Sequence, residues 1–254
     1  MIPLSGELRE QLWKGVLWVR GDAYTRIKSD ERIYRVISGV ARLLEPGRPL
    51  VLVAGLPSFP RDVYRSYIDR GIASIELAYP KLIEETIMVR RCMRTIDVYE
   101  VLVKAVREGI EYVASTLATS CKAVKEIIAV GLAVAIAGVL HAVREMVSDT
   151  IRGGGGRCAI CGSHPVLLVR RSKDYEAICG WCGYRWRASS PCPECNNCII
   201  EELEEVEPGL KKAKCKPSGH EFILAEDGAE GDEALRRAFE YNLVLKGVLG
   251  HESR

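Results

Sequence analysis

The chain has 254 residues, of which 48% are hydrophobic and 28% charged. That is enough apolar material for a buried core, and it excludes a disordered or collagen-like chain. A formal net charge of +2 excludes bulk charge as a sign of nucleic-acid binding.

The first 150 residues read as helical. The opening MIPLSGELREQLWKG has no basic stretch followed by an apolar one, so a secretory signal is not expected. Residues 32–44 place Ile33, Val36, Ile37, Val40, Ala41 and Leu44 on one helical stripe, with Ser29 or Asp30 as the cap. Glu45-Pro46-Gly47 stops that helix. Residues 50–54 (LVLVA) read as a short strand or a buried extended segment. Pro60-Arg61-Asp62 opens a helix that ends near Gly71. Pro80 opens a longer one, which Gly109 bends or interrupts. A last helix of this part covers about residues 121–147.

Within it, residues 127–140 carry no charge. A spanning helix needs about 18–20 apolar residues, so this run reads as the central helix of a bundle. Gly131, Ala135 and Gly138 would let neighbouring helices approach it closely.

Four glycines at 153–156 follow, and they read as a linker. A phosphate-binding loop would need a strand before it and a helix after it. Beyond the linker, short apolar runs at 166–169, 184–186 and 220–224 suggest strands. A closing helix begins at Asp232, with Gly250 suited to stop it. The expected domains are 1–152 (helical), 157–225 (cysteine-rich) and 230–250 (helix).

Eight of the ten cysteines lie between Cys158 and Cys215. Cys92 and Cys121 stand in helical apolar patterns and read as buried free thiols. Cys158-x2-Cys161-Gly162 and Cys179-x2-Cys182-Gly183 are two knuckles separated by seventeen residues. Two intervening residues let one tight turn aim both thiolates at one ion, and the trailing glycine permits the positive φ that closes the turn. Two such knuckles predict a closed tetrathiolate site for one zinc or iron ion. Such ligands fit a reducing cytosol better than a disulfide framework, hence a cytoplasmic protein.

Cys192-x2-Cys195 is a third knuckle, with Cys215 as the third ligand of a second site. Ser218 stands where a fourth cysteine would complete the pattern, and a hydroxyl is a poor ligand for a soft site. His220 is the preferred substitute, with Cys198 or an open site as alternatives. His141 reads as a core residue and His164 as a surface one. No nucleophile–base pair, Walker loop or paired acid/base signature is present, so no enzyme is expected. One glutamine and three asparagines among abundant Arg, Glu and Val suggest a thermophilic source.

The runs CAICGSHPVLLVRR, CGWCGYRWR and CPEC resemble the formate dehydrogenase accessory protein family (FdhE-like). Cys158, Cys161, Gly162, Ser163 and Pro165 match its first knuckle, and Trp186 its aromatic after the second. The likeness covers about 70 residues. It departs at Ser218, where the family has a cysteine. The resemblance implies an α+β chain: an N-terminal helical bundle, two small rubredoxin-like metal modules and a C-terminal helix. It also implies one zinc or iron per module, and a cytoplasmic maturation factor that binds an oxidoreductase catalytic subunit. The competing class is a zinc ribbon for nucleic acid. It rests on Arg157, Arg170, Arg171, Lys173, Arg185 and Arg187 interleaved with Trp181, Tyr184 and Trp186. The nearby Glu201, Glu202, Glu204, Glu205 and Glu207 would repel a phosphate backbone.

Overall fold

The computed structural model describes the chain except residues 46–47, 152–155, 172–173, 189, 191, 193–194, 196–197, 226–230 and 251–254. The expected linker therefore lies mostly outside the described residues, as do Lys173 and His251. The chain is of mixed α+β class and divides into two compact units. One comprises Met1–Arg35, Gly55–Val143 and Lys246–Arg254, and the other Val36–Ala54 and Arg144–Leu245.

The chain is helical as far as Val147, through most of the first unit and through residues 36–54 of the second. α1 (Gly6–Ser29) is capped by Ser5, whose side chain accepts from the Leu8 amide at 3.3 Å. Leu8, Leu12, Val16, Val19, Ala23 and Ile27 recur every three or four residues and are all buried. α2 (Glu31–Leu43) starts where Asp30 Oδ1 accepts from the Arg32 and Ile33 amides. Of its expected apolar stripe, Ile37 and Ala41 are buried, whereas Val36 is exposed.

After α3 (Leu50–Ala54), α4 (Arg61–Ala78) runs beyond Gly71. The helix expected from Pro80 is broken into pieces. A single 3-10 turn, Pro80–Leu82, leads into α5 (Ile83–Thr95). Asp97 then caps α6 (Val98–Glu108), and Gly109, at φ 101°, separates it from α7 (Ile110–Cys121). Cys92 and Cys121 are not free thiols. They form a disulfide between α5 and α7, with Cα atoms 5.8 Å apart. Each sits in a half-buried position, where the apolar pattern of its own helix gave no hint of the other.

α8 (Lys125–Val147) begins four residues later than expected. By length and composition it is the one helix among the described residues able to cross a membrane, but 94% of its apolar window is buried within the protein. Its glycines explain the burial. A Cβ on Gly71 of α4 would lie 2.9 Å from Gly131 Cα and from the Val130 carbonyl oxygen. A Cβ on Gly138 would lie 2.4 Å from the Val19 side chain of α1.

The second unit holds a six-stranded sheet of order β3-β2-β1-β6-β5-β4. Its strands are β1 (Pro165–Arg170), β2 (Tyr175–Cys179), β3 (Arg185–Ala188), β4 (Ile200–Glu207), β5 (Leu210–Cys215) and β6 (Glu221–Ala225). β1, β2 and β3 pair antiparallel in sequence, and so do β4, β5 and β6. β1 and β6 join the two meanders in parallel at the centre. The same plan is thus used twice: knuckle, hairpin, knuckle, strand. α9 (Gly231–Leu245) packs on β1, β2 and β6 through Ala234, Leu235, Ala238 and Phe239. It ends before Gly247, at φ 66°, and not at Gly250.

Residues 50–54 are helical (α3), not extended. The amides of Leu50 and Val51, which a helix leaves unpaired at its start, donate to the carbonyls of Ala159 and Ile160 at 2.9 Å. The partner of this segment lies a hundred residues away, so no local pattern could reveal it.

Candidate metal centres

Each knuckle is a backbone device before it is a ligand set. In the first, the Gly162 amide donates to the Cys158 carbonyl at 2.8 Å and the Cys158 amide to the Ser163 carbonyl at 2.9 Å. In the second, Gly183 donates to Cys179 and Cys179 to Tyr184, both at 3.0 Å. Gly162 and Gly183 have φ of 79° and 65°, which an L side chain adopts only with strain. At Gly162 a Cβ would also meet Pro49 at 2.7 Å.

The first centre is Cys158, Cys161, Cys179 and Cys182, all buried, with every sulfur within 4.8 Å of the others. Cys158 and Cys182 approach to 3.3 Å, as do Cys161 and Cys179. This spread brackets the about 3.8 Å between sulfurs that share a tetrahedral ion at about 2.3 Å. The Trp181 amide lies 3.4 Å from the Cys179 sulfur.

The thiols are in electrostatic conflict. Burial pushes the Cys158 and Cys182 thiols well up. Hydrogen bonds from Cys158, Cys179 and Cys182 hold Cys161 well below the ordinary range, against burial. Four buried, converging sulfurs are the donor set of a soft cation, and they fit zinc or iron.

The second centre is Cys192, Cys195 and Cys215, whose sulfurs also lie within 4.8 Å of one another. Cys195 and Cys215 are 3.3 Å apart. Hydrogen bonding to Cys215, with a smaller part from desolvation, raises the Cys195 thiol to about 12. For Cys215, burial pushes upward, but hydrogen bonds from Cys198, Ser218 and Cys195 outweigh it and bring the thiol to about 6. Burial and Cys215 raise Cys198.

His220 is not in this group. Its Nδ1 lies 3.3 Å from Nδ1 of His164, the ring centroids being 4.7 Å apart. The physical reason lies in the knuckle: the Cys215 amide donates to the His220 carbonyl at 2.9 Å, so His220 closes the turn with its backbone and its side chain leaves the sulfurs. Seven of the eight expected ligands are thus brought into two groups, four and three.

Four residues of the basic stretch form ion pairs. Arg171 and Arg185 both reach Glu176, Arg187 reaches Asp174, and Arg170 reaches Glu202. Tyr184 and Trp186 are buried and stacked on each other, with centroids 6.0 Å apart. His141 is fully buried with its ring edge-on to Trp13.

No family model matches the chain, and no curated protein does. Among solved structures, the chain is similar to the crystal structure of the FdhE protein from Pseudomonas aeruginosa. The match covers 98% of this chain and 95% of that one, at 12% sequence identity and a TM-score of 0.46.

Proposed function

We propose that this protein is a metal-binding accessory factor. In this reading it docks in the cytoplasm on the catalytic subunit of a formate dehydrogenase, or of a related molybdenum- or tungsten-containing oxidoreductase. It promotes the activation of that enzyme and performs no turnover itself. The observation that carries the reading is the buried four-thiolate group of Cys158, Cys161, Cys179 and Cys182. A closed set of four protein ligands leaves no vertex for substrate, and is the pattern of a structural site. The accessory role itself comes from the resemblance of the knuckle sequences around that group.

The two halves of the sheet serve as rubredoxin-like modules, one zinc or iron in each. Bound there, the ion supplies charge neutralisation and rigid cross-linking of loops. Cys158 and Cys161 fix the strand entering β1, Cys179 and Cys182 fix the turn between β2 and β3, and the glycines keep the backbone close. The result is a stiff sheet surface made from few residues, suited to docking.

The zinc-ribbon alternative is disfavoured by the ion pairs. A phosphate would have to displace Glu176, Asp174 or Glu202 from the arginines, and the stacked aromatics offer no free face to bases. The deciding experiment is a deletion strain combined with affinity purification of the tagged protein. Loss of formate dehydrogenase activity, with the catalytic subunit recovered on wild type but not on Cys158→Ser, is the expected result. Full activity in the deletion strain, or recovery of RNA-bound complexes alone, would remove the accessory reading.

A further inference from the structure

The third and fourth knuckles are not equivalent to the first two. In the fourth, the Gly219 amide donates to the Cys215 carbonyl at 2.8 Å and Gly219 has φ 71°. With the Cys215–His220 bond, this repeats the backbone plan of the knuckles that end in Cys161-Gly162 and Cys182-Gly183. The residue before the glycine is the second ligand in those knuckles, and here it is Ser218. Its hydroxyl reaches the centre: Ser218 Oγ lies 3.0 Å from the Cys192 sulfur. Ser218 therefore stands at the fourth vertex. Cys198 is not among the residues whose sulfurs all converge.

We propose that the second centre is a three-thiolate metal site, Cys192, Cys195 and Cys215, whose fourth vertex at Ser218 accepts an exogenous soft anion, a thiolate in particular. The inference rests on the metal-binding part of the reading above, and not on the accessory role.

Three arguments support it. A neutral hydroxyl is a hard, weak donor beside three soft thiolates, so an incoming thiolate competes with it favourably. Sites with three protein ligands characteristically leave the fourth position to solvent or a ligand. Three thiolates on a divalent ion leave one negative charge where four leave two, so an anion meets less repulsion. The burial pattern agrees: the first centre is buried at all four cysteines, while Cys195 of the second is only partly covered. The binding step is ligand exchange at constant oxidation state. The thiolate enters, the Ser218 oxygen leaves as a neutral hydroxyl, and no electron moves.

The test uses the full chain loaded with two cobalt(II) ions and titrated with ethanethiol, read by visible absorption. The d–d bands of one cobalt should shift saturably while those of the other stay fixed. Ser218→Cys should abolish the response and slow cobalt release to a chelator at least tenfold. Cys198→Ser should keep both the cobalt count and the response. The proposal is overturned if only one cobalt binds, or if two bind and neither responds. It is also overturned if Ser218→Cys still responds, or if the response appears only in Cys198→Ser, which would make Cys198 the fourth ligand. None of these outcomes depends on dehydrogenase activity, so failure here and failure of the accessory role are separable.

Discussion

Glu76 of α4 is held by both terminal nitrogens of the Arg90 guanidinium on α5 and by the Thr86 hydroxyl at 2.5 Å. Burial pushes its carboxyl up, but these hydrogen bonds and the guanidinium charge outweigh burial and hold it below the ordinary 4.5. A depressed folded pKa gives stability that is present above the unfolded value and lost as pH falls through the folded one. Glu76→Gln should therefore cost about 1.5–3 kcal/mol at pH 7, the range for hydrogen bonds to charged groups. That difference should shrink as pH drops below 4.5. Urea unfolding of both proteins at pH 7 and pH 3 measures it, and an equal gap at the two pH values would refute the assignment. The cysteines of the two groups are the residues most legible in sequence, since C-x2-C-G spacing encodes the turn directly. His220 is the instructive exception. A count of ligand types points to the imidazole, whereas Gly219 marks residues 215–220 as a knuckle whose residue before the glycine is Ser218. The signal was the glycine and not the histidine.

At the scale of elements, β4 and β5 were the least legible. The run 200–207 holds five glutamates, and Glu is depleted in strands. It forms a strand because the facing strand supplies lysines in register: Glu201 opposite Lys214, Glu204 opposite Lys212 and Glu205 opposite Lys211. Opposite charges across a ladder contribute roughly 0.2–1 kcal/mol per pair, and such pairing is visible only once the register is known. α8, by contrast, was legible from its uninterrupted apolar run and its small residues. Its packing yields a paired prediction. Gly138→Ala places a methyl 2.4 Å from Val19 and 3.1 Å from the Arg20 amide, and should destabilise by about 1–3 kcal/mol. Gly21→Ala, in α1 with nothing within 4 Å of the new methyl, should instead stabilise by about 0.5–1 kcal/mol. Thermal melts of the two variants should move in opposite directions. The α5–α7 disulfide closes a loop of 29 residues. Chain-entropy arithmetic then gives a loss of roughly 3.6 kcal/mol for Cys92→Ser/Cys121→Ser, which denaturant unfolding without reductant reads directly.

At the scale of the molecule, the chain is threaded in a way that composition does not announce. It enters the second unit at Val36, leaves it at Gly55 and returns at Arg144. A change of character is plain near residue 157, where cysteines, glycines and short strands begin. The contribution of residues 36–54 is hidden, because it consists of one apolar face and two amide–carbonyl bonds to the first knuckle. The two units also differ in what holds them. The first has a continuous apolar core through α1, α4 and α8 and contains neither thiolate group. The second is built around both groups, and an ion held by their thiolates would supply part of its folding free energy. Structural zinc sites contribute about 10–16 kcal/mol in small peptides, comparable with the total stability of a domain at about 5–15 kcal/mol. Removing the metal with a chelator at mildly acidic pH, or replacing Cys182 by Ser, should therefore open residues 157–225 to protease and to rapid amide exchange. Amides of α1, α4 and of α8 up to Val143 should keep their protection. Exchange followed by mass spectrometry resolves both segments in one sample. Unchanged protection of the sheet after metal loss would show that its apolar packing suffices without the ions.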